Sequence, residues 1–529
     1  MYIQKILNPP RQTVMKYLFF ILLTLVNFGF TEVVSSTDSN LLKEIVILNE
    51  KSEFLHSKNF DFLDQQFLGQ EITEELLQQL KTQATSQLQK NGDFASSIDF
   101  PEQNITKGKV FLKVNPSRVH SITIADNQWN SDAFYRKYIP LEINAPIDSN
   151  ALLNQVAWFN RNPFYYSEII LTPSAQSAYI DVDFLVKDRW VLRPFAGADN
   201  TGTNVTDTTR LYAGISWGKP FGRPDLLTYQ YTTAPNPHEF YAHTGSYLFF
   251  LPWKHELLLF GGFSAAHPDL GPSFTNEGIS VQTSLRYNIP ILPIYKASKQ
   301  TFSWGIDYKN FNSNVFFIEQ SPAIPVVAHQ ANVSQFYLAF ALENRYFIKT
   351  ELVFSPTRLL PNQSDLRYNL LRPHATVRYL YGKLYMTDTY GAGDKFSFTW
   401  ALRAQGATGP LLPSEQFPLG GYDTVRGYLE RDFLADNALC LNGEIRTQKF
   451  SFFKKDELIF LFFTDFGYGA NFKSEQEILE SQHLWSAGLG ARYQIAPYLS
   501  LRADYGFQLH HIFNQNSLGR FHLGGSISY

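Results

Sequence analysis

The sequence predicts a mainly β protein, a transmembrane barrel of about sixteen antiparallel strands preceded by two small α/β modules. Three observations predict it. The first is alternation: over residues 498–510, Leu499, Leu501, Ala503, Tyr505, Phe507 and Leu509 occupy one face, and Ser500, Arg502, Asp504, Gly506, Gln508 and His510 the other. A strand with lipid on one side and water on the other needs that period of two. The pattern recurs over residues 279–289, 336–342, 396–404 and 485–495. The second is composition, with 16% aromatic residues, including 46 Phe and 29 Tyr, against 18% charged. Aromatic girdles and an apolar outer band would use such a surplus. The third is that no apolar run reaches about 18 residues, which excludes a helical membrane protein.

Residues 1–36 read as a secretory signal, with Lys5, Arg11 and Lys16 as its basic start, an apolar core over 17–30, and Ser35 and Ser36 near a cleavage point. Met15 is a second candidate start. Residues 44–115 read as the first α/β module. Residues 45–48 form a strand, Thr73 caps a helix with Glu74 and Glu75 in its first turn, and Leu76, Leu77, Leu80, Ala84 and Leu88 make its core stripe. After Asn91 and Gly92 the chain returns as strands. Residues 116–188 read as a second module, with a strand over 119–124, helices over 131–138 and 148–160, and closing strands over 168–172 and 178–187.

From residue 189 to 529 the chain is strand and turn. Strands are expected to begin near Arg189, Thr209, Asp225, Glu239, Lys254, Asn276, Lys299, Val333, Ile348, His374 and Lys395, and then near Asn437, Lys455, Gln482, Tyr498 and Phe521. The single cysteine, Cys440, cannot form an internal disulfide and reads as a small inward-facing packing residue. His510 and His511 lack ligand spacing with other His or Cys and read as strand-end residues, so no metal is expected. Phosphate-binding, zinc-protease and nucleophile-elbow motifs do not occur, so neither an enzyme nor a cofactor is expected. A net charge of −3 gives no reason to expect nucleic acid.

Between the eleventh and twelfth strands the alternation stops, and residues 411–430 read as a loop. Gly420, Gly421 and Gly427 permit positive φ and Pro418 withholds a donor, so no regular ladder is expected through 417–428. Val425, Tyr428 and Leu429 are too apolar for a solvated tip, and Arg426 sits among them with a charge to place. The loop therefore reads as folded inward.

The stretch Pro413-Ser414-Glu415-Gln416-Phe417-Pro418-Leu419-Gly420-Gly421, followed by Thr424-Val425-Arg426-Gly427-Tyr428-Leu429-Glu430, resembles the signature loop of two-partner-secretion transporters. These form the haemolysin secretion/activation family within the outer-membrane assembly-factor superfamily. Phe463-Thr464-Asp465-Phe466-Gly467 resembles the family's second motif. Residues 198–202, 210–214 and 222–227 are similar to its first hairpin, 442–446 to its twelfth strand, and 99–114 to the end of its first POTRA module. The resemblance spans residues 99–529. It implies that the two modules are POTRA domains in the periplasm, whose strand edges can add an extended partner chain. It also implies that the loop enters a sixteen-stranded barrel from outside and that Arg426 reaches Asp465 on the thirteenth strand. Phe463, Asp465 and Gly467 would face the lumen there if Leu458, Phe460, Phe462 and Phe466 face lipid, with Gly467 leaving space. The last strand, from Phe521 to the terminal Tyr529, resembles the C-terminal signal read by the barrel-assembly machinery.

The function implied is translocation of an unfolded secreted polypeptide, a haemolysin- or adhesin-like partner, from the periplasm to the surface of a Gram-negative cell. The partners expected are that client, outer-membrane lipid and the barrel-assembly machinery, with the chain a monomer. One alternative is a factor that assembles or inserts other barrels; another is a passive porin-type channel. Many relatives begin with a helix that plugs the pore, but the residues between Ser36 and Glu44 leave no room for helix and linker, so no plug is expected.

Overall fold

The fold was obtained as a computed structural model. It describes residues 41–49, 60–91, 93, 95–176, 178–268, 274–291, 298–317, 324–453, 455–472, 480–512 and 517–529. The expected signal segment, and the residues between Ser36 and Leu41 that bear on a plug, lie outside these. The chain divides into two units, one ending at Arg189 and one beginning at Trp190.

The first unit holds two modules of one design, each with two helices and a three-stranded sheet. In the first, β1 (Glu44–Leu48), α1 (Asp61–Phe67), α2 (Glu74–Lys90), β2 (Ser97–Asp99) and β3 (Lys109–Asn115) form a sheet of order β1-β3-β2, with β1 parallel to β3. Thr73 starts α2: its hydroxyl accepts the Leu76 N–H at 3.1 Å, satisfying a donor the first turn leaves open. Leu76, Leu80, Ala84 and Leu88 then pack with Leu63, Phe67, Val110 and Leu112, while Leu77 lies half-buried at the margin. Helix α1 was not expected, because seven residues are too few for a periodic signal.

In the second module, β4 (Arg118–Ala125), α3 (Asp132–Arg136), α4 (Ser149–Phe159), β5 (Tyr165–Pro173) and β6 (Tyr179–Asp188) give a sheet of order β4-β6-β5. Asp148 caps α4 by accepting from the Ala151 N–H at 2.9 Å. The helix expected over 131–138 spans only five residues. After Arg136 the chain tightens into three-residue turns, the Tyr138 N–H donating to the Tyr135 carbonyl at 2.9 Å and the Ile139 N–H to the Arg136 carbonyl at 3.3 Å, and Pro140 disfavours helix at Ile139. Asp188, at the end of β6, accepts the N–H groups of Gln128, Trp129 and Asn130 and, at 2.8 Å, the Tyr135 hydroxyl. That one carboxylate ties the start of α3 to the sheet.

The second unit is a closed antiparallel barrel of sixteen strands among the described residues. In order they are Leu192–Asp199, Arg210–Trp217, Leu226–Thr233, Phe240–Phe250, Glu256–Ala266, Phe274–Pro290, Lys299–Phe317, Ile324–Glu343, Phe347–Ser355, Tyr379–Ala392, Phe396–Ala407, Asn437–Thr447, Asp456–Ala470, Ser481–Ile495, Leu499–Gln508 and Gly519–Ser528. The barrel closes where Gly524–Ser528 pairs with Phe195–Asp199.

Two strands begin away from their expected starts. The eighth begins at Ile324 rather than near Val333, because its ladder with the seventh continues through a register shift beside Pro325, a residue that reads as a breaker. The tenth begins at Tyr379 rather than near His374. After the ninth strand the chain leaves the wall over residues 356–378 and forms α5 (Asp365–Leu371), and the Asp365 carboxylate takes the Val377 N–H at 2.7 Å. That donor is lost to any ladder.

Burial in the barrel wall alternates as a lipid-facing surface requires. On the thirteenth strand Phe460, Phe462 and Tyr468 are exposed, while Leu461, Phe463 and Asp465 are buried. Cys440 is buried on the lumen side of the twelfth.

An inward loop and its anchors on the lumen wall

The chain between the eleventh and twelfth strands, residues 408–436, leaves the wall and folds into the lumen, a wider segment than 411–430. Its neck carries a short ribbon, Phe417–Leu419 against Phe433–Ala435, so a ladder does run through Pro418, contrary to expectation. With three residues per strand the ribbon needs few donors, and proline takes a place where none is required. Beyond the neck the chain is irregular. Gly420, Gly421 and Gly427 have φ of +94°, +99° and +94°.

At the tip, Arg426 is 3% exposed. Its Nε and Nη2 donate to Asp465 Oδ2 and Oδ1 at 2.7 and 2.9 Å, its backbone N–H also reaches Oδ2 at 3.1 Å, and its Nη1 donates to Glu444 at 2.7 Å. The guanidinium lies 3.6 Å from the centre of the Phe463 ring. This is the bidentate geometry in which arginine outperforms lysine, with a cation–π contact added. Asn442 completes the site by donating to Asp465 Oδ1 at 2.8 Å and to the Thr424 carbonyl. Arg446 braces Glu444 from its far side.

The wall is hollowed to receive this tip. A Cβ at Gly467 would stand 2.8 Å from Val425 and 2.9 Å from Leu419, both fully buried. A Cβ at Gly427 would stand 2.8 Å from the Gly506 carbonyl. Gly427 N–H donates to His522 Nε2 at 2.9 Å, and its carbonyl accepts from Gln508 at 2.8 Å. Because His522 accepts through Nε2, its proton sits on Nδ1. Tyr428 is fully buried, its hydroxyl accepting the Trp485 N–H at 3.0 Å and sharing its one proton between the carbonyls of Trp485 and His510.

A second anchor lies on another part of the wall. The buried Glu415 accepts from Lys309 at 2.6 Å, Tyr381 at 2.7 Å and Gln335 at 3.1 Å, residues of the seventh, tenth and eighth strands. The loop thus reaches from the wall of strands seven to ten to that of strands twelve to sixteen.

Arg426, Gly427, Tyr428, Val425, Phe463, Asp465 and Gly467 therefore meet at one place, with Gly420 and Gly421 shaping the approach. Phe521 and Tyr529 lie apart from it: Phe521 is exposed on the outer face of the last strand, and Tyr529 sets its ring edge-on against Trp190 at 5.4 Å. Sequence reading did not pick out Glu444 as an ion-pair partner, Asn442, Gly506, Gln508 or His522, nor the role of Glu415. Alternation places the wall residues among these on the lumen face but does not say which of many polar lumen residues meets the loop, and Glu415 lies in the loop itself, where there is no alternation to read. Among the described residues no group of His, Cys, Asp and Glu is placed to hold a metal ion.

Comparison with known proteins gives the arrangement its context. The model of the haemolysin secretion/activation protein ShlB/FhaC/HecB family matches residues 177–493, and that of the ShlB-type POTRA domain matches residues 42–117. No curated protein sequence matches the chain. Among solved structures, CdiB from Escherichia coli is similar with a TM-score of 0.76 at 15% identity, covering 95% of this chain and 93% of that one. CdiB from Acinetobacter baumannii gives a TM-score of 0.65 at 18% identity, covering 94% and 91%. BamA from Haemophilus ducreyi lacking POTRA domains 1–3 gives 0.50 at 13% identity, covering 92% and 100%. The two CdiB structures share the fold of both units. With a family model matched over more than half its length, the chain belongs to the haemolysin secretion/activation protein family.

Proposed function

We propose that this protein sits in the outer membrane of a Gram-negative cell and carries an unfolded secreted polypeptide, of the haemolysin or adhesin class, from the periplasm to the surface. The observation that carries the reading is the loop at 408–436, which crosses the lumen on discrete side-chain anchors and not on a barrel ladder. Side-chain anchors can be exchanged for contacts with a passing chain, whereas a ladder would have to be torn from the wall. A passive channel would need neither a displaceable anchor nor modules ahead of the barrel.

The modules supply the other half. On the outer edge of β5, Asn160 imitates a neighbouring strand, accepting from the Ser167 N–H at 2.7 Å and donating to its carbonyl at 2.9 Å. Backbone groups alternate in direction along a strand, so Ile169 and Leu171 present theirs on the same edge. An extended client segment can pair there by β-augmentation. The barrel-assembly machinery would insert the chain itself, reading the strand that ends at Phe521–Tyr529.

The test is whether a large secreted protein encoded by an adjacent gene reaches the cell surface through this chain, with and without residues 44–188. Deletion should leave a barrel that folds and exports nothing; export at the full rate would defeat the reading. If cells lacking the protein instead lose other outer-membrane barrels while the partner still reaches the surface, the assembly-factor alternative holds.

A further inference from the structure

The segment between the ninth and tenth strands, residues 356–378, is a second inward element that the proposed function does not yet use. It packs against the lumen faces of neighbouring strands. Tyr368 is fully buried and donates to the Asn332 carbonyl at 2.9 Å, and Gln363, also fully buried, donates to the Ser334 carbonyl at 3.2 Å and to Ser355 at 3.1 Å. Tyr368, Ala375 and Val377 share one apolar cluster with Tyr337, Val353, Tyr379 and Tyr381 of the wall. Leu411 and Leu412 of the inward loop belong to the same cluster.

The two elements are also joined by charge. Arg372 of this segment donates through Nη1 and Nη2 to Asp436 Oδ1 and Oδ2 at 2.5 and 2.8 Å, and through Nη1 to the Leu411 carbonyl at 2.6 Å. Arg372 is 5% exposed and Asp436 is fully buried. Asp436 in turn accepts the Leu411 N–H at 2.9 Å and the Phe472 N–H at 3.1 Å. Leu411 and Asp436 stand at opposite ends of the inward loop, where it leaves and rejoins the wall. Arg372 therefore grips both ends of a loop to which it does not belong.

We propose that Arg372 and Asp436 form a clasp that makes residues 356–378 and the inward loop one lumen-closing unit, so that neither element moves without the other. Arg372 is a positioning residue: it acts on the Arg426 anchor through the loop and does not touch it. A bidentate pair removed from water supports this because opening it strands a charge, whereas apolar contacts alone would let the elements slide. The clasp rests on the reading of the loop as the moving part, and its test is independent of transport.

The experiment is hydrogen exchange on the purified full chain in detergent, comparing wild type, Arg372→Met and Arg426→Ala. Coupling between two sites is reciprocal. Arg372→Met should speed exchange of the Arg426 and Gly427 amides by about tenfold, and Arg426→Ala should speed exchange within Asp365–Leu371 by a similar factor. If the tip amides of Arg372→Met exchange as in wild type, the clasp is overturned. Should Arg372→Met lose the heat-modifiable migration of a folded barrel, Arg372→Lys takes its place: it keeps the charge without the fork, and the same two outcomes decide. Export measured in the same variants separates the two ideas. Faster tip exchange with unchanged export keeps the clasp and removes the loop from gating; altered export with unchanged exchange does the reverse.

Discussion

The two units of this chain are built inside out relative to one another. In the first module, what is removed from water is apolar: Leu63, Leu80, Ala84, Val110 and Leu112 meet in one core, with helix and sheet bonds supplied by the backbone. In the barrel the exposed band is apolar, Phe460, Phe462 and Leu489 among it, and what is buried includes Asp307, Glu415, Arg426, Asp436, Asp465 and His522. A soluble fold is held by excluding water from a core. This barrel's interior is held by satisfying charges one with another, and the inward loop is part of that settlement. Damage should therefore follow opposite rules in the two units.

The largest effect is expected at the tip of the loop. Arg426→Ala leaves Asp465 buried with the Asn442 amide but no cation, and Asp465→Ala leaves the buried Arg426 with Glu444 alone; removing one partner of a well-buried pair costs about 3–5 kcal/mol. Heat unfolding in detergent should fall for each single variant, and client export with it. The double variant should be much less damaged than the sum of the singles, because the pair acts as one unit. Strict additivity, or wild-type export by Arg426→Ala, would show the pair to be incidental.

Next in size is a cavity in the first module. Leu80→Ala removes a fully buried side chain from α2 and should cost about 2–5 kcal/mol. In the full chain, exchange should rise over residues 44–115 while barrel amides stay protected. An equal rise in the barrel would contradict the division into two units.

On the barrel's outer face the rule inverts. Phe462 is 48% exposed, so Phe462→Lys would be harmless on a soluble protein of this shape. Facing hydrocarbon it should cost about 2–4 kcal/mol near the membrane midplane and reduce the yield of inserted barrel. Unchanged insertion would mean that this face does not meet lipid.

These contrasts explain what could be read from the sequence. The period of two marked the two faces of the strands over 279–289, 336–342, 396–404, 485–495 and 498–510, and starts such as those expected near Lys299, Asn437 and Lys455 fall within a residue of Lys299, Asn437 and Asp456. Arg426 and Asp465 were legible because each lies in a stretch, 424–430 and 463–467, that resembles a motif of the family, and the resemblance implies their pairing. Asn442 and His522 were not, since a polar residue on an alternating strand looks the same whether it meets water, a neighbouring strand or a loop arriving from far away in sequence. Arg372 was hidden for a related reason: residues 356–378 lack the alternation of the wall, and their packing depends on a partner, the inward loop, that sequence periodicity cannot supply. In the first module the stripe from Leu76 to Leu88 was legible because a helix carries its own period.

Smaller still is the start of that helix. Thr73→Ala removes the acceptor for the Leu76 N–H and should cost about 1 kcal/mol, with Thr73→Ser recovering most of it. Exchange at the first turn of α2 reads the difference, and a Ser variant as weak as Ala would deny the cap any role.

The smallest expected effect tests whether charge matters to the first unit as it does to the second. Asp99 and Lys81 pair at 2.9 Å, but their side chains are 50% and 39% exposed. Burial alone would raise the pKa of Asp99; the bond and charge of Lys81, with bonds from Asn115 and Ser97, outweigh it and hold the carboxyl below its ordinary value. A carboxylate whose folded pKa is depressed contributes stability that is complete above its unfolded pKa, near 4, and is lost as pH falls through the lower folded value. Solvent screens so open a pair, so the contribution stays within about 1 kcal/mol and shrinks with salt. Asp99→Asn should therefore flatten the acid limb of the first module's stability, read as exchange over β2 and β3 between about pH 5 and 3, and leave neutral-pH exchange nearly unchanged. A loss at neutral pH comparable to that of Arg426→Ala would mean that the first module also depends on a desolvated charge, and the inside-out contrast between the units would no longer hold.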